Sequence, residues 1–290
     1  MKRYLVLASL ALVLSGCRFK NEDRREHQQR IVCLSKQYNE ILYALGAERD
    51  LVAVDLSSTY PPEIKSLPTV GYHRALGVEG IVSVKPTLII HDNNVGPEHV
   101  MRQLEQLKIP MKVFEAKSVD IPSTKALMSE MGRYFHQEAR AESLNRKLDL
   151  DMEKALLRSR GYSTKPKVLV IHFGRAMNIY LTITQASTAG KMIEWAGGEI
   201  PIRGERGMVQ LSPEVIAAAD PEVLLLTDFG YDRLGSAEQV TTLPGVDTTR
   251  AARNKRIYRV EENDLVYIGP RTGENVLKLQ ALIHAGETTR

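Results

Sequence analysis

The sequence is 290 residues long, which is enough for one large domain or two smaller lobes. Its formal net charge of +4 is too small to indicate nucleic-acid binding, and no interior stretch is long and apolar enough to cross a membrane. The composition therefore favours an ordinary globular body whose partner is not a nucleic acid.

The start of the chain has the pattern of an exported protein. A basic start and an apolar run from Leu5 to Leu14 predict a signal peptide over residues 1–16. The run ends in Leu-Ser-Gly-Cys17, which resembles the bacterial lipobox, and this resemblance implies that Cys17 is lipidated and becomes the first mature residue. Residues 17–30 are polar and charged, so we predict a flexible tether between the lipid and the folded body.

Apolar segments alternate with segments of helical spacing through the first half of the chain. The predicted strands are residues 31–35, 51–55, 87–91 and 111–114, and the predicted helices are residues 38–45, 77–84 and 97–107. This alternation predicts a mostly parallel sheet covered on both faces. Cys33 lies in the first strand, where a lone cysteine acts as a small buried hydrophobe, so we predict no disulfide.

A long helical region over residues 123–160 follows, with a predicted break near Phe135 and His136. Its second part carries one apolar stripe at steps of three and four residues, formed by Ala141, Leu144, Leu148, Met152 and Ala155. The pattern then restarts, with predicted strands at 167–173, 223–227 and 256–260 and predicted helices at 188–196, 212–219 and 273–285. A second α/β unit therefore follows the long helix.

The stretch around Tyr72 carries the strongest functional signal. The sequence Gly-Tyr72-His-Arg74 lies between a glycine turn and a helical turn, which predicts a loop held by two rigid elements. A tyrosine with a basic residue two positions on can act as a phenolate ligand, because nearby positive charge favours the ionised form. Phenolate oxygen is one of the few protein ligands of haem iron.

The motif Gly-Tyr-x-Arg-x-Leu-x-x-Glu-Gly-Ile at residues 71–81, followed by Lys-Pro, resembles the haem-binding members of the substrate-binding proteins of bacterial ABC importers. These resemble the vitamin B12- and siderophore-binding proteins in fold, and the resemblance covers about residues 30–285. It implies an α/β fold of two Rossmann-like lobes with mostly parallel sheets, joined by one long helix, with a ligand cleft between the lobes. The implied division is an N-terminal lobe at 31–135, a connecting helix at 136–162 and a C-terminal lobe at 163–290.

The same resemblance implies a function. Such a protein captures haem outside the cytoplasmic membrane and presents it to the importer's permease dimer, while separate subunits hydrolyse ATP. It would lie in the periplasm or at the outer face of the cell, held to a membrane through Cys17. The sequence contains no nucleophile elbow, zinc-protease motif or phosphate-binding loop, so we predict that it is not an enzyme.

The predicted ligand site combines iron ligands with groups for the haem propionates. Tyr72 is the first predicted axial ligand, and His172, which is predicted to end a strand of the second lobe, is the second. Arg74 would either lower the pKa of Tyr72 or bind a propionate through both guanidinium nitrogens. The further predicted ligand-binding residues are His73, His91, Arg175, Arg233 and Tyr267.

A short helix with a glutamate in its first turn, followed by a proline and an apolar strand, occurs twice in the chain. The two glutamates are Glu79 and Glu214. In the family that the sequence resembles, the equivalent glutamates lie on the two lobe tips and contact arginines of the permease. Either glutamate alone is also explained by the helix dipole, which favours an acid in the first turn.

Three other readings remain open from the sequence. The same fold can carry a ferric siderophore or cobalamin, with Tyr72 as a hydrogen-bonding or stacking group. A haem-modifying enzyme or a metal carrier would need a reactive or metal-binding site, for which His73, His91 and His172 are the available histidines. A purely structural lipoprotein would have no ligand in the cleft.

Overall fold

A computed structural model describes residues 29–115, 119–174 and 177–287. The predicted signal peptide, Cys17, most of the predicted tether and Arg175 lie outside these residues. Within the described ranges, no helix has the length and apolar character needed to cross a membrane.

Each strand and helix predicted for the first lobe is present, with its bounds shifted by a residue or two. In chain order the elements are β1 (Ile31–Cys33), α1 (Lys36–Leu45), β2 (Leu51–Val54), β3 (Gly71–Tyr72), β4 (Ala75–Leu76), α2 (Val78–Ser83), β5 (Leu88–His91), α3 (Glu98–Gln106), β6 (Met111–Val113) and α4 (Ile121–Tyr134). The start of α1 is capped by Ser35, whose hydroxyl accepts a hydrogen bond from the Tyr38 amide, and the helix ends at Gly46, whose φ is +69°.

The first sheet has the strand order β2-β1-β5-β6, and every neighbouring pair is parallel. Successive side chains of β1 point to opposite faces, so Ile31 and Cys33 belong to one buried cluster while Val32 and Leu34 belong to another. The first cluster includes residues of α1 and α4, and the second includes residues of α2 and α3. The predicted parallel sheet with helices on both faces is therefore confirmed.

Tyr72 lies in the short antiparallel hairpin β3–β4, which differs from the predicted loop. Gly71 begins this hairpin with a φ of +110°, a conformation that glycine adopts without steric cost. The Leu56 amide, just past the carboxyl end of β2, donates to the Gly71 carbonyl at 2.8 Å. The Gly96 amide, in the loop after β5, donates to the His73 carbonyl at 2.8 Å. The hairpin is thus fixed beside the carboxyl edge of the first sheet.

The long helical region is interrupted where the sequence predicts a break. The helix α4 ends at Tyr134, His136 has a φ of +55°, and α5 (Glu138–Arg160) then runs for 23 residues. Four of the five residues of the predicted stripe on α5 are buried and Leu144 is partly buried.

The second lobe contains the predicted strands and helices together with short elements that the sequence does not reveal. In chain order its elements are β7 (Val168–Gly174), β8 (Ile179–Ile183), α6 (Thr188–Trp195), β9 (Met208–Gln210), α7 (Pro213–Ala219), β10 (Val223–Thr227), α8 (Asp228–Leu234), α9 (Ala237–Val240), α10 (Arg250–Arg253), β11 (Ile257–Val260), α11 (Glu262–Val266) and α12 (Thr272–Ile283). The unpredicted elements are β8, β9 and α8 to α11.

The second sheet has the strand order β11-β10-β7-β8-β9. Its strands β7, β10 and β11 pair in parallel, whereas β8 and β9 are antiparallel to their neighbours. The second sheet is therefore mixed, because a hairpin connection extends one side of a parallel three-stranded core.

The helix α5 packs against both lobes at positions where a neighbouring helix carries glycine. A Cβ atom added to Gly132 of α4 would lie 2.5 Å from the Ala141 Cβ, and one added to Gly273 of α12 would lie 2.4 Å from the Asp151 Cβ. Neither distance is tolerated by carbon atoms, so both helices approach α5 more closely than a larger residue would allow. The predicted fold of two α/β lobes joined by a long helix is confirmed.

The start of α1 also contacts the second lobe. Lys36 forms an ion pair with Glu262, and the Gln37 side chain donates to the Ile268 carbonyl at 2.7 Å. Because Lys36 follows β1 and Glu262 follows β11, the carboxyl ends of strands from the two sheets approach each other at this junction. Ligands of open α/β folds bind at such carboxyl edges.

Candidate functional site

Tyr72 is half-buried and belongs to neither buried hydrophobic cluster. Its ring lies against the imidazole of His73, with the ring centroids 4.5 Å apart and the planes tilted by 59°. The hairpin that carries it lies beyond the carboxyl end of β2 rather than in the interior of the lobe. Its phenol is therefore not part of the packing of the lobe.

His73 is held by a buried carboxylate. Its Nδ1 lies 3.2 Å from the Asp55 Oδ2 and 3.2 Å from the Ser57 hydroxyl. Burial alone would raise the pKa of the Asp55 carboxyl, but hydrogen bonds from His73, Ser57 and Ser58 outweigh it and hold the pKa below its usual value. Because an ionised carboxylate only accepts hydrogen bonds, Nδ1 of His73 carries the proton in this pair. Asp55 thus fixes the orientation of the ring against which Tyr72 packs.

Arg74 is exposed, and its guanidinium donates from Nε and Nη2 to the Asn94 Oδ1 at 3.1 and 2.8 Å. This contact directs the side chain toward the loop that follows β5. The predicted roles of Arg74 toward the Tyr72 phenol or a propionate remain predictions.

His172 lies inside β7, which differs from its predicted position at the end of a strand. The strand continues to Gly174 because β8 pairs with it beyond the point where the parallel core ends, and His172 is opposite Leu181. The imidazole is half-buried, with Nδ1 3.3 Å from the Thr227 hydroxyl and 3.8 Å from the Glu262 Oε2. Both contacts are made at Nδ1, so Nε2 is on the opposite side of the ring.

A series of polar contacts connects the Tyr72 hairpin to His172, and we call it the inter-lobe polar chain. Its members are Arg74, Asn94, Asp92, Ser35, Lys36, Glu262 and His172. The Asn94 amide donates to the Asp92 Oδ1 at 3.0 Å, and the Ser35 hydroxyl donates to the Asp92 Oδ2 at 2.7 Å. Lys36 follows Ser35 in sequence and places its Nζ 2.5 Å from the Glu262 Oε1. The two predicted iron ligands are therefore carried by elements joined across the gap between the lobes.

Lys36 is a buried cation at the centre of this chain. Its side chain is 10% exposed, and its Nζ lies 4.9 Å from the centroid of the Tyr267 ring. Burial alone would lower the pKa of the Lys36 amine, but Tyr267 and Glu262 outweigh it and raise the pKa above its usual value. Burial raises the pKa of the Tyr267 phenol. The junction therefore holds a charged lysine that lies between the Glu262 carboxylate and the Tyr267 ring.

The remaining predicted residues lie in different settings. His91 is buried at the end of β5, where burial lowers the pKa of its imidazole, and its Nδ1 accepts a hydrogen bond from the Asn93 amide at 3.4 Å. Arg233 is exposed on α8, with its guanidinium carbon 4.5 Å from the centroid of the Phe173 ring. Arg175 lies outside the described residues. Across residues 29–115, 119–174 and 177–287, no group of three or more His, Cys, Asp or Glu side chains is placed to hold a metal ion.

The predicted docking glutamates are both exposed. Glu79 lies in the first turn of α2 and Glu214 in the first turn of α7. A hydrogen bond from the Ser212 hydroxyl, followed by one from its own backbone amide, lowers the pKa of the Glu214 carboxyl, so the charge at this helix start is maintained at neutral pH. Both carboxylates are available to a partner on the surface of the molecule.

A cavity of about 470 Å³ lies between α1, α5 and α12. It is lined by Glu40, Tyr43, Ala44, Glu48, Tyr60, Pro61, Glu63, Leu144, Lys147, Pro270, Arg271 and Glu274, so none of the described residues predicted for the ligand site lines it. Its two cations are already paired, Arg271 with Glu40 and Lys147 with Glu274. The remaining carboxylates would repel the propionates of haem, so this cavity is a poor haem site.

The sequence alone does not predict that Lys36, Asp55 and Glu262 lie at this site. Each follows a strand within a few residues, at the edge where the carboxyl ends of the two sheets meet. The sequence signal for such residues is a charged residue shortly after a buried strand, because these positions face the ligand site in open α/β folds.

The fold agrees with a comparison to known families. Residues 31–263 match the family model described as periplasmic binding protein. The chain belongs to this family, and it is a substrate-binding protein of an ABC import system rather than an enzyme. The family and the absence of enzymatic activity predicted from the sequence are both confirmed.

Individual relatives differ in their named ligands. The structure resembles the periplasmic heme-binding protein RhuT from Roseiflexus sp. RS-1 with a TM-score of 0.80 and 31% identity, covering 89% of this chain and 98% of that chain. A vitamin B12-binding protein of Pectobacterium carotovorum subsp. carotovorum (strain PC1) is 27% identical over 200 residues, which is 68% of this chain and 71% of the relative. The substrate-binding lipoprotein YvrC of Bacillus subtilis (strain 168) is 25% identical over 265 residues, which is 90% of this chain and 81% of the relative.

Proposed function

We propose that this protein captures haem outside the cytoplasmic membrane and delivers it to the permease of an ABC importer. The observation that carries the proposal is the position of Tyr72, half-buried on a fixed hairpin beside the carboxyl edge of the first sheet. A phenol in this setting supplies the hard anionic oxygen that ferric haem iron accepts. The likeness to the heme-binding protein RhuT supports the same ligand.

In this proposal Tyr72 binds the iron as a phenolate and His172 approaches from the second lobe. In this arrangement Nε2 would bind the iron while Nδ1 is directed toward Thr227 and Glu262. A histidine ligand whose other ring nitrogen is held by hydrogen-bonding groups has a fixed orientation. Two ligands on different lobes would close the gap around the haem.

The propionates require cations and the porphyrin faces require apolar contact. Arg74 would bind a propionate, since its guanidinium is exposed and lies two residues beyond Tyr72. Arg233 and Arg175 of the second lobe would serve the other propionate. Tyr267, which lies beside Lys36 at the junction, would line the floor of the site. In this proposal His73, held by Asp55, supports the ring of Tyr72, and His91, which is buried at the end of β5, does not contact the haem.

Delivery and anchoring complete the proposal. Glu79 and Glu214 would contact arginines of the permease, one glutamate from each lobe, and the ATPase subunits of the importer would supply the energy. Cys17 would carry the lipid that holds the protein to a membrane; the lipoprotein name of the relative YvrC supports this anchor. The proposed lobes are residues 31–135 and 163–290, with residues 136–162 between them.

One observation favours cobalamin as an alternative transported molecule. Several relatives are named vitamin B12-binding proteins, and cobalamin is also a planar macrocycle that fits between two lobes. In that case Tyr72 would contact the macrocycle by hydrogen bonding or stacking. Iron coordination by the phenol distinguishes the two ligands.

The test is an absorption titration of the purified mature chain with hemin, cyanocobalamin and a ferric siderophore. The wild type should bind hemin saturably, and Tyr72→Phe should weaken binding by at least about a hundredfold and abolish the phenolate-to-iron absorption band. Tyr43→Phe, which changes a half-buried tyrosine of α1 at the cavity behind the site, is the matched control and should behave as wild type. If the protein binds cobalamin saturably and does not bind hemin, the haem proposal is wrong and cobalamin is the transported molecule.

A further inference from the structure

The two lobes are joined at the start of α1 by two ion pairs with different surroundings. Lys36 pairs with Glu262, and Glu40, one helical turn further on, pairs with Arg271. Arg271 also pairs with Asp264 and stacks on the ring of Tyr60, 3.7 Å from its centroid, within the wall of the cavity. None of these contacts involves Tyr72 or His172.

The Lys36–Glu262 pair has a different neighbour. One oxygen of the Glu262 carboxylate is 2.5 Å from the Lys36 Nζ, and the other is 3.8 Å from the His172 Nδ1. The amide of Glu262 donates to the Asp228 Oδ1 at 3.2 Å, so the backbone that carries the carboxylate is itself held to the end of β10. The carboxylate therefore lies between a cation of the first lobe and an imidazole of the second.

The three side chains are largely buried, so the ion pair between Lys36 and Glu262 is shielded from water. The side chains of Lys36, His172 and Glu262 are only 10%, 16% and 19% exposed. At such sites a carboxylate is held firmly by its cation, because little water is present to replace it. Removal of the Lys36 charge would take away the cation 2.5 Å from the Glu262 carboxylate, and the carboxylate would then be held less firmly beside Nδ1.

On this basis we propose that Lys36 of the first lobe is a positioning residue for the second-lobe iron ligand His172, acting through Glu262. This inference rests on the proposed haem function and deepens it. Lys36 does not touch the haem iron; it sets the orientation of the imidazole that does. The ligand of one lobe is thereby aligned by a residue of the other, and the alignment holds only while the lobes are joined at α1.

The inter-lobe polar chain extends this alignment to the first ligand. Lys36 follows Ser35, whose hydroxyl is bonded to Asp92, and Asp92 binds the loop that receives the Arg74 guanidinium. The spacing between the Tyr72 hairpin and His172 is thus set by contacts that do not include the ligand. A site of this kind selects a ligand whose two coordination positions match a fixed distance.

The experiment compares substitutions of the two ion pairs in the hemin-loaded mature protein. Lys36→Met and Glu262→Gln should convert the absorption and electron paramagnetic resonance spectra of the ferric complex to those of His172→Ala, and should weaken hemin binding about tenfold. Lys36→Arg, which keeps the cation, should retain the wild-type spectra. Glu40→Gln, the matched control, breaks the other ion pair and should also retain them, even where its melting temperature falls as far as that of Lys36→Met.

The outcomes separate this inference from the proposed function. If the wild type binds hemin through Tyr72 but Lys36→Met and Glu262→Gln keep the wild-type spectra, the inference is wrong and the proposed function stands. Spectra of His172→Ala identical to those of the wild type would also overturn it, as would an equal spectral change in Glu40→Gln, which would indicate general loosening of the lobes. If the wild type shows no Tyr72-dependent binding of hemin, both proposals fail. Should Lys36→Met not fold, Glu262→Gln and Lys36→Arg decide the same question.

Discussion

The two predicted iron ligands are held in the structure in different ways. Tyr72 lies on a two-stranded hairpin outside the main sheet, and its position depends on a buried hydrogen-bond network at Asp55. His172 lies within a seven-residue strand that pairs with neighbours on both sides. The backbone of His172 is therefore fixed inside the main sheet, whereas that of Tyr72 is fixed by a short hairpin and two backbone hydrogen bonds to neighbouring loops. The ring beside Tyr72 depends in addition on the contact of His73 with Asp55. This difference predicts that substitutions around Tyr72 affect stability and affinity together, while those around His172 affect mainly coordination.

The largest effect should come from Asp55→Asn. An amide cannot accept the same set of hydrogen bonds from Ser57, Ser58 and His73, and we expect a loss of about 2 kcal/mol in the free energy of unfolding. The folded-state pKa of Asp55 is lowered, so its stabilisation is present above the unfolded pKa and is lost as the pH falls through the folded pKa. Chemical denaturation should show a constant difference from wild type between about pH 7 and 5, shrinking below about pH 4. A difference that does not depend on pH would contradict this role of the carboxylate.

A smaller effect is expected from His73→Gln. The substitution removes the ring that packs against Tyr72 at 4.5 Å but keeps a side chain that can bond to Asp55. Hemin affinity should fall about tenfold, because the phenol loses its fixed orientation, while the type of spectrum remains that of phenolate coordination. An absorption titration with hemin measures both the affinity and the type of spectrum. His91→Gln is the control, and an equal loss in that variant would show that His73 has no special role.

Thr227→Val tests the second-lobe ligand in the same way. The substitution keeps the shape of a fully buried side chain and removes the hydroxyl that lies 3.3 Å from the His172 Nδ1. Loss of this hydrogen bond should cost about 1 kcal/mol, which is a few-fold in hemin affinity, with little change in the position of the strand. Parallel melting and titration curves measure the two quantities. A loss of stability much larger than the loss of affinity would contradict the contrast between the two ligands.

The smallest effect should be the pH response of His91. Burial lowers the folded-state pKa of this imidazole, so the unfolded chain takes up the proton first and stability falls as the pH drops below the unfolded value. The melting temperature of the wild type should therefore decrease between about pH 7.5 and 5.5, and His91→Asn should decrease less. Hemin affinity at neutral pH should be unchanged in this variant. A change in affinity would identify His91 as part of the site rather than as a neighbour.

The predicted and observed elements differ most in the second lobe. The strands β7 and β10 are buried along almost their whole length, so their apolar runs stand out in the sequence. The edge strand β11 exposes Arg259, and only its end residues Ile257 and Val260 are buried. The strand β9 lies at a sheet edge with two of its three residues exposed, and its sequence carries no apolar run. The short helices α8 to α11 span four to seven residues, too few for helical periodicity to be recognised. The sequence therefore does not predict these short helices or the edge strand β9.

The predicted site residues also divide into those that lie in a local motif and those whose contacts are distant in the sequence. The sequence predicts roles for Tyr72, Arg74, Glu79 and Glu214 because these residues occur in local motifs that can be compared with a family. The sequence does not predict the contacts of Asp55 and Lys36, since a single aspartate or lysine after a strand is common. The partner of Lys36 is 226 residues away in the sequence, and no local pattern connects the two.

The sequence by itself determined the family, the alternation of strands and helices, the long helix and the segment that carries Tyr72. These properties follow from side-chain periodicity and from motifs within short stretches, which do not depend on how the two lobes are arranged. Only the tertiary structure decided which charges meet across the junction, that His172 lies inside a strand, and that His73 is bound to Asp55. Such pairs form between segments far apart in the chain, and their contact depends on the packing of the whole molecule.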